Sequence, residues 1–250
     1  MNEIKALLRD TCLPNLAGKY KYFSIHAVRD CLRSHGCSVQ PATLRQYLYG
    51  LRKEGLLFDA GYGWYSTLHE TFKLDKSPVS ELVALLEKQY PLLEFSAWST
   101  GQIKGFVHHT LVRFVAFVYV ERHNVSPVAD WLRDTGYDVY ANPRGKAQKA
   151  FTVRGKTVVV RPRVTTQTVD GHYATVEAIL VDLFVEARNL PLMDRAEYAI
   201  VFENLVGRYR IWLASFLHYS LKRKHATTDL LRMLKSTFGE IIKYSPNMDR

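Results

Sequence analysis

The sequence predicts an α+β protein: a helix-and-hairpin module, then a mixed-sheet α/β domain, then a helical subdomain running to the end. Three observations carry this. Leu44, Tyr47, Leu48 and Leu51 recur at i, i+3, i+4 and i+7, and a glycine-tipped hairpin pattern follows them directly. Between Leu92 and Arg161, apolar runs alternate with amphipathic stretches, as in a sheet covered by helices. From Tyr173 onward the apolar spacing is helical nearly to the end.

In chain order, Asn2 to Asp10 predicts a short helix with Ile4, Leu7 and Leu8 inward, which Pro14 and Gly18 break. Tyr20, Tyr22 and Phe23 predict a short strand. Ser24 is an N-cap for a helix over Ile25 to His35, with Ile25, Val28, Cys31 and Leu32 on its buried side. Gly36 stops it, and Cys37 to Gln40 turns the chain into the next helix. Pro41 suits a first helical turn, where its missing N–H costs nothing. Gly55 closes that helix as a left-handed cap. Leu56-Leu57-Phe58, the turn Asp59 to Gly63, and Trp64-Tyr65 then read as a hairpin.

Helix, strand, helix, turn, helix and hairpin make the order of a winged helix-turn-helix over residues 1–72. The polar face of the helix after Pro41 carries Thr43, Arg45, Gln46, Tyr49, Arg52 and Lys53, with no acid before Glu54. Such a face suits the major groove of double-stranded DNA, with Arg45, Gln46, Tyr49 and Thr43 toward base edges and Arg52, Lys53 and Tyr62 toward the backbone. The hairpin tip holds no Lys or Arg, so its grip on phosphate would rest on Tyr62 and backbone N–H groups.

Ser77-Pro78 starts a helix that Pro91 closes. A strand over Leu92 to Trp98, a helical segment over Gly101 to Val107 and an apolar strand over Leu111 to Glu121 follow. Ser126-Pro127 opens a helix to Asp134, and Tyr137 to Ala141 is a strand. Phe151 to Val153 and Thr157 to Arg161 read as a hairpin across Arg154-Gly155. This gives a mixed-sheet domain over 77–169 and a helical subdomain over 170–250. In the latter, Val176 to Phe184, Tyr198 to Leu205, Ile211 to Leu221 and Thr228 to Ile242 form apolar stripes.

The formal net charge of +10 favours a polyanionic partner. From Asp138 to Asp170 no acid intervenes, while Arg144, Lys146, Lys149, Arg154, Lys156, Arg161 and Arg163 all occur. Two readings stay open: a cationic face for phosphates, or a sheet edge guarded against association. The longest uncharged apolar run, Phe114 to Val120, is too short for a bilayer, and Met1-Asn2-Glu3 does not open a secretory signal. A cytoplasmic protein is expected. Cys12, Cys31 and Cys37 lie near His26 and His35 but form no C-x-x-C pair, and read as buried thiols rather than a zinc site.

No catalytic centre, metal or cofactor is expected. The sequence has no P-loop, no G-x-G-x-x-G, no G-x-S-x-G and no D-x-D. His108-His109 has no companion ligands at metal spacing. The alternative is a nuclease or nucleic-acid-modifying enzyme targeted by the same winged helix. Its first suspects would be Glu121 after a strong strand, and Asp182, which shares a helix with Glu177 and Glu186.

Several blocks in order carry a family likeness. They are Trp98-Ser99-Thr100 with His109, Tyr119-Val120-Glu121, Tyr137 to Pro143, Val159 to Pro162 with Val164-Thr165, Ala174 to Phe184, Asn204, and Tyr219 to Lys224. On these the chain resembles the antitoxins of bacterial AbiE-type abortive-infection systems, the type IV toxin–antitoxin systems. It departs from their pattern at Ala178, where Lys would be expected, and near Lys222, where a fuller Arg-rich stretch would be. The resemblance implies a winged helix that binds inverted repeats upstream of its own operon and represses it. It also implies a second domain that counters a nucleotidyltransferase toxin without forming a stable complex with it.

Overall fold

A computed structural model describes residues 2–107, 114–164, 167–223, 229–230, 232–234, 239 and 242–243. The protein is α+β, with a mixed sheet and a C-terminal helical region. It divides into two compact units. One comprises residues 1–72, 206–215 and 231–250, the other residues 73–205 and 216–230. The residues expected as a helical subdomain packed on the sheet domain, 170–250, contribute to both units. The reason lies in what their apolar stripes cover, which periodicity alone does not tell.

The first unit begins with one helical stretch in three parts: α1 (Asn2–Leu7), a π-helical turn (Leu8–Cys12) and α2 (Leu13–Ala17). Pro14 does not break this helix, contrary to expectation. A proline ring clashes with the carbonyl four residues back, and a π turn relieves that by widening the coil by one residue. The widening is visible where the Leu13 N–H donates to Leu8 O, five residues back. After β1 (Tyr22–Ser24), Ser24 caps α3 (Ile25–Ser34) by accepting the Ala27 N–H at 3.2 Å. The next helix, α4 (Pro41–Lys53), buries Leu44, Leu48 and Leu51 and ends at Gly55, whose φ of 73° is left-handed.

The hairpin β2 (Phe58–Asp59) and β3 (Trp64–Ser66) then pairs antiparallel onto β1, with Phe23 opposite Tyr65 and Asp59 opposite Tyr65 on its other side. Leu8, Leu13, Leu16, Phe23, Val28, Leu32, Leu44, Leu48, Leu51 and Leu57 share one core.

Two later segments complete this unit. The Ala214 N–H donates to Ala60 O at 3.1 Å, at the hairpin turn. Arg210 donates through Nη1 to the carbonyls of Leu68 and His69, and stacks its guanidinium over the Phe58 ring. Gly61 has a φ of +99°, and a Cβ placed there would lie 2.5 Å from Ala214 Cβ. Gly61→Ala is therefore expected to cost roughly 1–3 kcal/mol from overpacking and left-handed strain. Chemical denaturation checks this. Adding Ala214→Gly should return the steric part only, and a Gly61→Ala protein as stable as wild type would refute the close packing.

The second unit is built on a six-stranded sheet. Its elements are α5 (Ser77–Gln89), β4 (Phe95–Ser99), a 3-10 helix (Thr100–Phe106), β5 (Val115–Val120), α6 (Val125–Asp134), β6 (Asp138–Ala141), α7 (Lys146–Lys149), β7 (Thr157–Pro162), β8 (Val169–Asp170), β9 (Tyr173–Ala174), α8 (Val176–Asn189), and the larger parts of α9 (Arg195–Arg208) and α10 (Leu213–Lys222), whose residues 206–208 and 213–215 count with the first unit. The strand order is β6-β7-β5-β4-β9-β8. β6, β7 and β5 run parallel, and β4 is antiparallel to β5.

Alternation along the strands sorts the two faces. Val118, Val120, Val158 and Val160 pack with α5 and α6 through Leu82, Leu86, Val128 and Leu132. Phe117, Tyr119, Val159 and Arg161 fall on the opposite face, where Tyr119 and Arg161 reach Glu186 of α8. Buried all along its length from Val176 to Phe184, α8 has the profile of a helix covered on every side.

Three local expectations are corrected here. Thr157 to Arg161 does not fold into a hairpin with Phe151 to Val153; it is a parallel strand between β5 and β6. Its continuous burial, Thr157 to Arg161, is what a strand covered on both faces requires. Tyr173-Ala174 is a strand, β9, joined to Ala97 of β4. Ile242 does not end a helix: Ile242–Lys243 forms β10, parallel to Tyr22-Phe23. The start of the strand expected at Leu111 lies outside the described residues. Among the described residues no helix is long and apolar enough to cross a membrane.

Candidate nucleic-acid interface

The helical repeat that buries Leu44, Leu48 and Leu51 turns Arg45, Gln46 and Tyr49 to solvent. Thirteen residues of α4 extend over about 20 Å, enough to lie along a stretch of DNA major groove. Thr43 sits half-buried in its first turn, and Arg52 and Lys53 are exposed in its last. At the hairpin tip Tyr62 is 89% exposed, and on α4 Tyr49 is 55% exposed. All seven residues expected at a DNA contact therefore reach the surface, though not all of them are free. Arg52 Nη1 lies 3.0 Å from Asp59 Oδ2, and Lys53 Nζ sits 4.7 Å above the Tyr49 ring. Among the described residues Arg45 has no ion pair.

A groove of about 860 Å³ runs between α3, α4 and the hairpin. Arg29, Arg45, Arg52 and His26 line it beside the rings of Tyr49 and Tyr62, and Asp59 is its single acid. Since Arg52 faces Asp59, the groove keeps a cationic excess. Two lining residues escaped the sequence reading. Arg29 points a guanidinium from α3 and bonds His26 Nδ1 at 2.8 Å through Nη2, which puts the His26 ring proton on Nε2. Its Nε is buried without a hydrogen-bond partner among the described residues. Trp212, 53% exposed, comes from far along the chain, and no local pattern could have announced it.

Residues 43–240 match a family of unknown function, DUF6577. The chain belongs to that family. No curated protein matches it. The family span takes in the outward face of α4, the hairpin and the whole sheet unit, and it leaves out α1 to α3.

The second basic set does not form one face. Arg161 is 8% exposed and lies inside the sheet unit, where Nη2 meets Glu186 Oε2 at 2.6 Å and Nε meets both carboxylate oxygens. It corrects the expectation of a surface cation: a parallel central strand points alternate side chains into the covered face. Arg154 lies 3.7 Å from Asp138, Lys156 3.8 Å from Glu81 and Arg163 2.6 Å from Glu94. Of this basic set, Arg144, Lys146 and Lys149, around α7, remain exposed without an ion pair among the described residues.

Arg161 instead opens onto a buried polar cluster that the sequence did not predict. Arg223 Nη2 approaches Asp182 Oδ1 at 3.1 Å and Glu186 Oε1 at 3.8 Å. The Tyr219 hydroxyl donates to Asp182 Oδ1 at 2.8 Å, and Gln167 Nε2 donates to Asp182 Oδ2 at 2.6 Å. Two guanidinium groups against two carboxylates leave it neutral overall. Burial pushes the Asp182 carboxyl up to about 6, against the pull of Arg223 and the Tyr219 hydroxyl. Burial works against the charged Arg223, but Asp182 foremost holds its pKa above the ordinary range. The spacing of Asp182 and Glu186 on one helix was legible; their burial partners on β7 and α10 were not.

The two suspects for catalysis stand in different surroundings. Asp182 is fully buried with its oxygens taken, while Glu121 is exposed and pairs with His123 at 3.5 Å. His108 and His109, like Thr165 and Lys224, lie outside the described residues.

Proposed function

We propose that the protein is a bacterial, cytoplasmic DNA-binding repressor of its own operon and the antitoxin of a type IV toxin–antitoxin system. The observation that carries the first half is the solvent-facing row Arg45, Gln46 and Tyr49 on α4, set beside a hairpin whose Tyr62 stands free. In this reading residues 1–72 act as a winged helix-turn-helix. Arg45 and Gln46, with Thr43 and Tyr49, meet base edges of an inverted-repeat operator, and Arg52, Lys53 and Tyr62 meet phosphates.

The second half rests on the sequence resemblance, and one structural fact supports it. Tyr119, Asn142, Pro143, Arg161, Asp182, Tyr219 and Arg223 come from separate blocks of that resemblance. They meet around the buried polar cluster, directly or through Arg161 and Glu186. Short blocks scattered along a chain make physical sense when they build one interior. The functional partner would be a nucleotidyltransferase toxin, opposed without a stable complex.

Fluorescence anisotropy with the duplex upstream of the protein's own gene, against a shuffled duplex of equal composition, tests the proposal. The native sequence should bind more tightly, and log K should fall steeply and linearly with log salt. Equal affinity for both duplexes would reject sequence-specific regulation. Co-expression with the neighbouring reading frame tests the antitoxin half: growth is rescued without co-purification.

A further inference from the structure

We propose that Cys12, Cys31 and His35 bind a zinc-class divalent ion in the first unit. Independent of the DNA-binding reading, the inference starts from position. All three cysteines of the chain belong to this region, although they come from the π turn, from α3 and from the loop after it. One ligand atom each of Cys12, Cys31 and His35 lies within 4.8 Å of the others. Tetrahedral zinc, with bonds of about 2.0–2.3 Å, holds its ligand atoms roughly 3.5–4 Å apart, so the three need only a small contraction.

The chemistry of the donors fits as well as the distances. Two sulfurs and an imidazole make a soft set of the kind that selects zinc over calcium or magnesium. Cys31 lies in the last turn of α3 and His35 is the residue that caps its end, four positions on. His35 Nδ1 lies 2.9 Å from the Cys31 carbonyl, which can only accept, so that nitrogen carries the proton. Nε2 keeps the lone pair. A ring N–H held by a backbone carbonyl is the outer-shell contact that orients metal-binding histidines.

Gly36, with φ of 75°, turns the chain back over the end of α3, and the Cys37 N–H donates to Leu32 O at 3.0 Å. Cys31 and Cys37 both pack on the same core that buries Cys12. An ion here would tie the N-terminal helical stretch to the end of α3, just before the chain enters α4. The three residues lie before the matched family span, 43–240.

The full chain, purified without a histidine tag and reduced, is incubated with zinc alone and desalted, and its metal content is measured. One zinc per chain is expected. Cobalt(II) in place of zinc should give thiolate-to-metal charge-transfer absorption and the strong visible bands of tetrahedral cobalt. His35→Ala, an exposed change that leaves the core intact, should weaken zinc by more than about 100-fold, beyond the loss from an outer-shell partner. Wild-type protein that retains no zinc, shows no cobalt–thiolate band and titrates all its thiols freely in the presence of zinc overturns the site.

Discussion

Glu186→Gln is expected to lower stability by roughly 3–5 kcal/mol, because it leaves Arg161 as an uncompensated charge inside the sheet unit. The side chains of Arg161 and Glu186 are 9% and 3% exposed. Three guanidinium-to-carboxylate contacts between 2.6 and 3.2 Å join them. The remaining Nη1 valences are taken by Asn142 Oδ1 at 3.2 Å and Pro143 O at 3.1 Å. A glutamine of the same shape offers one acceptor and turns an NH₂ toward donors, so it loses both charge and pairing. Arg223 would lose its second carboxylate at the same time.

The comparison that separates charge from packing is the double change Arg161→Met with Glu186→Leu. Removing both partners leaves neither Arg161 nor Glu186 as an unpaired buried charge, with Arg223 still facing Asp182 at 3.1 Å, and apolar replacements of similar volume are often neutral. The double variant should therefore be more stable than Glu186→Gln, and the cycle through the single variants should show a coupling of at least about 1 kcal/mol. Chemical denaturation measures both. A Glu186→Gln protein within about 0.5 kcal/mol of wild type, the range of ordinary surface changes, would show that the pair is not buried in solution.

What the sequence made legible follows from the range of the forces involved. Helices α3 and α4, their caps at Ser24 and Gly55, and the hairpin are set by spacing and backbone preference over a few residues. The outward row Arg45, Gln46 and Tyr49 follows from the same spacing. The polar cluster was not legible because its members lie on four separate elements. Arg161 looked like one more cation in an acid-free stretch, since the acid that neutralises it, Glu186, is 25 residues away. Val158 to Val160 are apolar without alternation, and such a run is compatible with a hairpin or with a buried parallel strand. Pro14 misled for a different reason: the rule that proline ends a helix holds only if no π turn makes room for it. The convergence of Cys12 with Cys31 and His35 is also long-range, and no C-x-x-C spacing announced it.

On the face proposed to bind DNA, Arg45→Ala is expected to cost about 1–3 kcal/mol of specific binding, roughly 5- to 150-fold in affinity, with little change for a shuffled duplex. Arg45 is exposed at mid-helix, carries no ion pair among the described residues, and lines the groove between α4 and the hairpin. It can meet a base without first giving up a partner. Arg52 cannot, because Asp59 holds it at 3.0 Å. Arg52→Ala should therefore weaken binding less than Arg45→Ala. Asp59→Asn should do the opposite of a loss: it frees the guanidinium, removes the one acid from the groove and tightens binding to any duplex. The salt dependence sorts the roles further, since each lost phosphate contact lowers the slope of log K against log salt by about 0.9. Lys53→Ala and Arg52→Ala should flatten that slope, whereas Arg45→Ala should mainly erase the preference for the native operator. Anisotropy titrations of the four variants at several salt concentrations decide the matter. If Asp59→Asn weakens binding, or if Arg45→Ala leaves the preference intact, α4 does not read the duplex through this face.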